Sequence, residues 1–210
     1  MMRRFVGDVH GHFDPYRKII EIGPPSIQVG DMGVGFRSWP HGEPQGNPPH
    51  ERMVKGGHRF IRGNHDNPHV CKRHSQYISD GTIENGVMFV GGALSIDKAY
   101  RVEGYSWWPT EELSTSDLYD IVDRYIAARP RIMVTHDCPE NVAIEVARTA
   151  GLMKLDPRFA SRTRQAFQSM WSAHSPDLWI FGHWHKSFDH ILDGTRFICL
   201  AELEYRDIEV

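Results

Sequence analysis

This sequence lacks both long hydrophobic runs and a cysteine framework. Its three cysteines, at positions 71, 138 and 199, are widely spaced and odd in number, which is not a disulfide pattern. After Arg3 and Arg4 only two apolar residues, Phe5 and Val6, come before Gly7, so the N-terminus has no secretory apolar core. No apolar run has the length needed to cross a bilayer. These absences predict a cytoplasmic protein in a reducing environment, with no membrane partner.

An excess of charge is also missing. The 24 basic and 27 acidic residues give a net charge of −3, which provides no general field for DNA or RNA. A local patch could still bind nucleic acid, but nothing indicates it. The length of 210 residues suits one domain with a proper core, and no linker or repeat divides the chain. We expect a single domain over residues 1–210, and the oligomeric state stays open.

Apolar runs and glycines predict strands that alternate with helices. Strands are expected at 5–6, 27–29, 58–62, 77–78, 87–90, 131–135, 178–181, 188–192 and 196–200. Helices are expected at 13–22, 68–74, 116–128, 139–148 and 161–174. Two irregular stretches, 32–50 and 91–112, are unusually long. This order indicates a layered α/β domain with a mixed sheet or two packed sheets.

Five predicted strands share one kind of ending, in which an apolar run is followed by Asp, Asn or His. Each ending alone has an ordinary explanation as a turn or a helix cap. Because ligands bind beyond the carboxyl ends of strands in layered α/β proteins, their joint occurrence favours one shared site. We also expect His183 and His185 to lie on one side of an extended strand, since they are two residues apart. The side chains at the five ends are Asp8 and His10, Asp31, Asn64 and His65, His136, and His183 and His185.

The donor types at these ends predict a metal site. Carboxylates, an amide and several imidazoles are too many ligands for one tetrahedral ion, and suit two ions that share a bridging carboxylate. Mixed nitrogen and oxygen donors favour manganese, iron or zinc over a metal that prefers thiolate. Cys138 is interpreted as a small buried side chain rather than a ligand.

The strand endings form five sequence blocks: Gly7-Asp8-Val9-His10, Gly30-Asp31, Gly63-Asn64-His65-Asp66, Thr135-His136 and Gly182-His183-Trp184-His185. Together these blocks resemble the calcineurin-like metallophosphoesterase superfamily. The blocks span residues 7–185 and stand in the order typical of that superfamily. The resemblance implies an α/β fold, a β-sandwich of mixed sheets flanked by helices, with two divalent metal ions at the strand ends. Manganese is favoured, with iron and zinc as alternatives.

The resemblance also implies roles for individual residues. His65 would protonate the leaving group, and Asp66 would orient His65. Two ions roughly 3.5–4 Å apart could share a hydroxide that attacks the phosphorus in line. The implied substrates are small phosphomonoesters or phosphodiesters, including nucleotide-like ones. The implied ligands are Asp8, His10 and His185 for the first ion, Asp31 as the bridge, and Asn64, His136 and His183 for the second.

Residues beside the blocks separate the branches of the superfamily. Serine/threonine protein phosphatases usually carry Asp-Arg-Gly at the second block and Glu after Asn-His, whereas this chain has Asp31-Met32-Gly33 and Asp66. A protein phosphatase is therefore a weaker alternative, and a manganese-dependent nuclease is another. An alternative of a different class is a metal-free binding scaffold, against which the complete ligand set counts.

The two irregular stretches are expected to set the substrate. Aromatic and arginine side chains beside a dimetal site suit a base or sugar next to a phosphate. Trp39 and His41 are expected near the rim, while Trp107 and Trp108 have the alternative explanation that they only cover a sheet edge. The predicted phosphate contacts are Arg37, Arg62 and Arg101.

Overall fold

The computed structural model describes residues 1–37, 46–149, 151 and 160–210. One of its two sheets has the order β10-β1-β2-β3. Strands β1, β2 and β3 are parallel, so their carboxyl ends lie at the same edge, and β10 runs antiparallel to β1. The four strands are β1 (Met2–Val6), β2 (Ser26–Gln28), β3 (Arg59–Phe60) and β10 (Tyr205–Glu209).

The second sheet has six strands in the order β4-β5-β6-β7-β9-β8. Its four inner strands are parallel, and β4 and β8 are antiparallel strands at its two edges. The six strands are β4 (Thr82–Glu84), β5 (Val87–Val90), β6 (Ile132–Thr135), β7 (Leu178–Phe181), β8 (Phe188–Leu192) and β9 (Thr195–Cys199).

Helices cover the outer face of each sheet. Residues of the first three helices share a buried cluster with the four-stranded sheet, and the last three share one with the six-stranded sheet. Side chains of Asn67, Ser114 and Ser161 cap α3, α4 and α6 by accepting backbone N–H groups. The helices are α1 (Phe13–Ile19), α2 (His50–Gly56), α3 (Pro68–Cys71), α4 (Thr115–Ala128), α5 (Glu140–Thr149) and α6 (Arg162–Ala173).

The two sheets pack against each other because the central strands are apolar on both faces. In β6, Ile132 and Val134 join a buried cluster shared with β1 and β2. Met133 between them joins the cluster under α4, α5 and α6. This two-residue alternation places one row of side chains between the sheets and the other beneath the helices. The resulting sandwich of mixed sheets flanked by helices confirms the predicted fold class.

The structure differs from the predicted elements at three places. Residues 77–78 do not form a strand with β5; Tyr77 makes a single bridge to Phe60, and β4 takes the place beside β5. Helix α2 and strand β10 were not predicted. Trp39 and His41 fall outside the described residues. None of the described helices combines the length and the apolar character that a membrane span requires.

Candidate metal centre and active site

The carboxyl ends of five parallel strands deliver polar side chains to one place between the sheets. The four-stranded sheet supplies Asp8 after β1, Asp31 after β2 and Asn64 after β3. The six-stranded sheet supplies His136 after β6 and His183 after β7. All but His183 are buried. The shared strand endings predict such a common site, and both sheets contribute side chains to it.

One group of donors consists of Asp8, His10 and His185, whose ligand atoms lie within 4.8 Å of one another. Asp8 is fully buried, and its Oδ2 lies 3.1 Å from His185 Nε2. The Nε2 atoms of His10 and His185 are 2.9 Å apart. Two imidazole nitrogens and a carboxylate oxygen that face one another need either a ring N–H or a metal ion among them.

A second group consists of Asp31, His136 and His183, again with ligand atoms within 4.8 Å. His136 Nδ1 lies 2.9 Å from the carbonyl oxygen of Val29, which is the partner that a neutral ring would serve with its Nδ1–H. That tautomer leaves the lone pair of His136 Nε2 facing Asn64 Oδ1 at 3.1 Å and Asp31 Oδ1 at 3.3 Å. Three acceptors around one point fit a bound cation.

Asp31 lies between the two groups. It belongs to the second group and also to a third, with His10 and His65, within the same 4.8 Å limit. Its Oδ2 is 3.9 Å from His10 Nε2, and its Oδ1 accepts the backbone N–H of His65 at 2.6 Å. A carboxylate whose two oxygens face different donor groups could contribute an oxygen to each of them.

Charge at the site is concentrated on the pair of Asp31 and His136. Burial by itself would raise the pKa of Asp31, but the facing imidazoles of His136 and His65 hold that pKa well below its usual range. Burial has the opposite effect on an imidazole and would lower the pKa of His136, but the neighbouring Asp31 raises this pKa to about 10. Without metal, Asp31 and the protonated His136 form a buried ion pair. A divalent cation can take the place of the proton on His136. The donor set therefore fits divalent metal ions.

Glycines precede three of the donor residues and leave room for donor side chains from neighbouring strands. A Cβ atom at Gly182 would overlap Asp8 Oδ1, and one at Gly63 would overlap Asp31 Oδ1. A Cβ at Gly30 would overlap the ring of His136. The glycines in these blocks are thus required by the close approach of the ligands from neighbouring strands.

We expect Gly182→Ala to lower metal affinity about 10–100-fold, because the added methyl group displaces the Asp8 carboxylate. Titration of Mn²⁺ into the metal-free protein measures this loss. Gly86→Ala is the control, since its Cβ meets nothing within 4 Å although its φ of 78° makes alanine strained. An equal loss of affinity in both variants would contradict the steric explanation.

The two histidines after β7 reach different donor groups, which corrects the prediction that they share one side of a strand. Strand β7 ends at Phe181, and His183 and His185 have left-handed backbone angles, with φ of 68° and 50°. His10 and Asp31 also lie in this region, with φ of 47° and 58°. These turns, rather than an extended strand, send His183 to one group and His185 to the other.

His65 lies beside the donor groups, at the wall of an open cavity. Its Nδ1 is 3.0 Å from His10 Nδ1, and its Nε2 contacts the guanidinium of Arg101. The ring stacks on Phe36, with centroids 5.0 Å apart and an interplanar angle of 21°. Burial, with smaller contributions from Arg101 and His10, lowers the pKa of His65 to about 4, against the opposing effect of Asp31.

Asp66 acts on the loops around His65 rather than on its ring. The fully buried carboxylate accepts backbone N–H groups from Met32 at 3.2 Å, Gly33 at 2.8 Å, Val34 at 2.8 Å and Gly63 at 2.7 Å. These bonds fasten the loop after Asp31 to the turn that carries His65. Asp66 thus supports the backbone on both sides of the site, and its predicted role in orienting His65 stays a prediction.

The three predicted phosphate contacts lie in different surroundings. Arg101 lines the cavity of about 530 Å³ that opens beside His10, His65 and His185. Arg37 is exposed, and its guanidinium carbon is 5.7 Å from the centre of the Tyr105 ring. Arg62 is only 2 % exposed and donates to Asp80 at 2.9 Å, so the structure does not bring it to the cavity.

Two acidic residues with a role near the site were missed in the sequence. Asp97 accepts a hydrogen bond from Arg101 at 2.8 Å, and its position four residues before the arginine was an available signal. Asp137 accepts the indole N–H of Trp184 at 3.0 Å and so ties the turn of His183 to the end of β6. No sequence pattern distinguishes Asp137 from a helix cap.

Comparison with known proteins identifies the family. The family model described as calcineurin-like phosphoesterase matches residues 4–187. The chain belongs to this family. Its calcineurin-like fold and its donor groups agree with that membership, which makes it a phosphoric ester hydrolase of a metal-dependent family. A search of the curated proteins found no match.

Several solved structures resemble this calcineurin-like chain at low sequence identity. An archaeal phosphodiesterase is 16 % identical with a TM-score of 0.43, and the alignment covers 99 % of each chain. A Staphylococcus aureus protein described as a candidate 5′-nucleotidase is 14 % identical with a TM-score of 0.50, over 96 % of this chain and 48 % of its own. GAP50, described as the anchor in the inner membrane complex of Plasmodium, is 11 % identical with a TM-score of 0.48, over 95 % and 71 %. At these identities the likeness concerns the fold alone.

Proposed function

We propose that this calcineurin-like phosphoesterase uses two divalent metal ions to hydrolyse small phosphomonoesters or phosphodiesters, including nucleotide-like ones. The observation that carries the proposal is the position of Asp31 between two donor groups that come from different strand ends. Asp8, His10 and His185 would hold one ion, and Asn64, His136 and His183 the other. When bound, such ions lower the pKa of a coordinated water and neutralise the phosphate oxygens.

The protein's own residues would position the substrate and move its proton. The cavity beside His65 is open, so a phosphate can reach the donor groups from the solvent. His65 faces that cavity next to Asn64. A bound phosphate would counter the lowering of the His65 pKa, and the protonated ring could then donate to the leaving oxygen. Arg101 reaches the same wall and could bind a phosphate oxygen in place of its present partners, His65 and Asp97.

Aromatic side chains at the cavity suit a base or another flat group attached to the phosphate. Phe36 lies against both His65 and the guanidinium of Arg101, whose carbon is 5.7 Å from the ring centre. Tyr100 also lines the cavity and is 84 % exposed, which leaves its ring free for stacking. This arrangement supports a small nucleotide-like substrate.

Manganese is the proposed metal, because mixed imidazole, amide and carboxylate donors suit it, as they do iron and zinc. The three cysteines are free and buried, which supports a reducing, cytoplasmic location.

We propose that residues 1–210 form one catalytic domain.

Metal analysis and a substrate panel test the proposal together. The protein is stripped of metal, titrated with Mn²⁺, and assayed on phosphomonoesters, linear phosphodiesters and cyclic phosphodiesters. We expect two bound ions per chain and hydrolysis that returns only with added metal. A protein that takes up no metal would support the scaffold alternative. Activity confined to phosphoproteins or to nucleic acid strands would support the phosphatase or nuclease alternative.

A further inference from the structure

A buried chain of hydrogen bonds connects one proposed metal ligand to Glu111, a glutamate outside the donor groups. The amide nitrogen of Asn64 donates to Ser95 Oγ at 3.0 Å, and Ser95 Oγ donates to Glu111 Oε2 at 2.5 Å. The backbone N–H of Ser95 donates to the other oxygen, Glu111 Oε1, at 2.9 Å. Exposure of the three side chains is only 3 % for Asn64, 1 % for Ser95 and 3 % for Glu111, so water does not compete for these bonds.

The direction of this chain decides which end of the Asn64 amide faces the site. A carboxylate only accepts hydrogen bonds, so Glu111 takes the single hydroxyl proton of Ser95. Ser95 Oγ can then only accept a bond from Asn64, and the amide must turn its nitrogen toward Ser95. The Oδ1 atom of Asn64 consequently faces His136 Nε2, at 3.1 Å.

Glu111 is itself held in place by Arg62. The Arg62 guanidinium donates to the carbonyl oxygen of Glu111 at 2.7 Å and to that of Thr110 at 3.1 Å. It also pairs with Asp80, at 2.9 Å. The buried arginine thereby fixes the backbone that presents the Glu111 carboxylate to Ser95.

We propose that Glu111, acting through Ser95, is a positioning residue that keeps the Asn64 oxygen, and not its nitrogen, toward the second metal position. This inference rests on the proposed function. An oxygen can bind a divalent cation, whereas an amide N–H₂ cannot. Partners that orient metal ligands in this way typically contribute about 10–100-fold to metal affinity.

Glu111→Gln tests the direction of the hydrogen bonds while keeping the shape of the side chain. The glutamine can donate its N–H₂ to Ser95, whose own proton is then free to bond to Asn64 and favour the flipped amide. We expect one of the two Mn²⁺ dissociation constants to rise about 10–100-fold, while the thermal unfolding midpoint stays close to that of the unmodified protein.

The neighbouring glutamate provides a matched control. Glu112 is also buried, at 5 % exposure, and its Oε1 accepts the hydroxyl of Ser161 at 2.7 Å and the backbone N–H of Thr163 at 3.0 Å. It serves the first turn of α6 rather than Asn64. Glu112→Gln should therefore leave both Mn²⁺ affinities unchanged.

Asn64→Asp provides a second background in which to measure the effect of Glu111→Gln. An aspartate presents an oxygen whichever way it turns, so adding Glu111→Gln to Asn64→Asp should cost no further metal affinity. Equal effects of Glu111→Gln in both backgrounds, or equal losses in Glu111→Gln and Glu112→Gln, would overturn the positioning role. If Glu111→Gln does not fold, Ser95→Ala against Ser161→Ala makes the same comparison.

The outcomes separate this inference from the proposed function. Two Mn²⁺ ions bound by the unmodified protein, with unchanged affinities in Glu111→Gln, would overturn the positioning role alone. No Mn²⁺ uptake by the unmodified protein would overturn both.

Discussion

Replacement of His136 by alanine should reduce phosphoesterase activity at least about 10³-fold. The substitution removes Nε2 of the fully buried His136, a proposed ligand atom that lies 3.3 Å from Asp31 Oδ1 and 3.1 Å from Asn64 Oδ1. Charge stabilisation by a catalytic metal is worth several kcal/mol, and about 4 kcal/mol corresponds to a factor of about 10³ in rate. The measurement is kcat/KM at saturating Mn²⁺, together with the number of ions bound per chain.

His58→Ala is the matched control for this loss. His58 is also buried, at 4 % exposure, but lies at the opposite end of β3 and accepts the backbone N–H of Ser26 at 3.1 Å. Its replacement should lower the unfolding temperature and leave two ions bound. If His136→Ala retained full activity, His136 would not be a metal ligand.

Replacement of His65 by alanine should give a loss that depends on the leaving group. A phosphate ester of a simple alcohol needs a proton on the departing oxygen, and we expect its hydrolysis to fall about 10²–10⁴-fold. A nitrophenyl phosphate leaves as a stable anion, so its hydrolysis should fall far less. Comparison of kcat for the two substrates, with the same enzyme preparations, measures the difference.

This comparison also contains its own control, since both substrates use the same metal ligands. A general defect in metal binding would slow both reactions equally, and the Mn²⁺ affinities of His65→Ala would show it. Equal losses on the two substrates with normal metal binding would mean that His65 does not act as the acid.

The sequence could predict the layers of the fold because the central strands are apolar on both faces and several of them are soon followed by glycine. Strand β10 escaped prediction for a physical reason: it is mostly exposed, and it pairs with β1, about two hundred residues away in the chain. Helix α2 has only Met53 fully buried, so no apolar stripe marks it. Both elements depend on tertiary contacts rather than on a local pattern.

Within the site, the sequence predicted which residue types converge but not how the supporting residues are arranged. Arg62 comes soon after a buried strand in the sequence, which is a position typical of a phosphate contact. In the structure its guanidinium instead donates to Asp80 and to the carbonyl oxygen of Glu111. The hydrogen bonds of Ser95 join residues sixteen and thirty-one positions away, a distance that no spacing rule covers. Long-range polar contacts of this kind become visible only when the backbone is in place.

The left-handed turns at the site have a consequence for attempts to improve this protein. His10, Asp31, His183 and His185 account for half of the non-glycine positions with positive φ among the described residues. Each such position costs roughly 1–2 kcal/mol for a residue that has a Cβ atom, and glycine would relieve that cost. A library selected for heat resistance alone would therefore enrich glycine where the metal donors stand. Stabilised variants should be chosen with a metal-dependent assay, because the most durable ones would otherwise be inert.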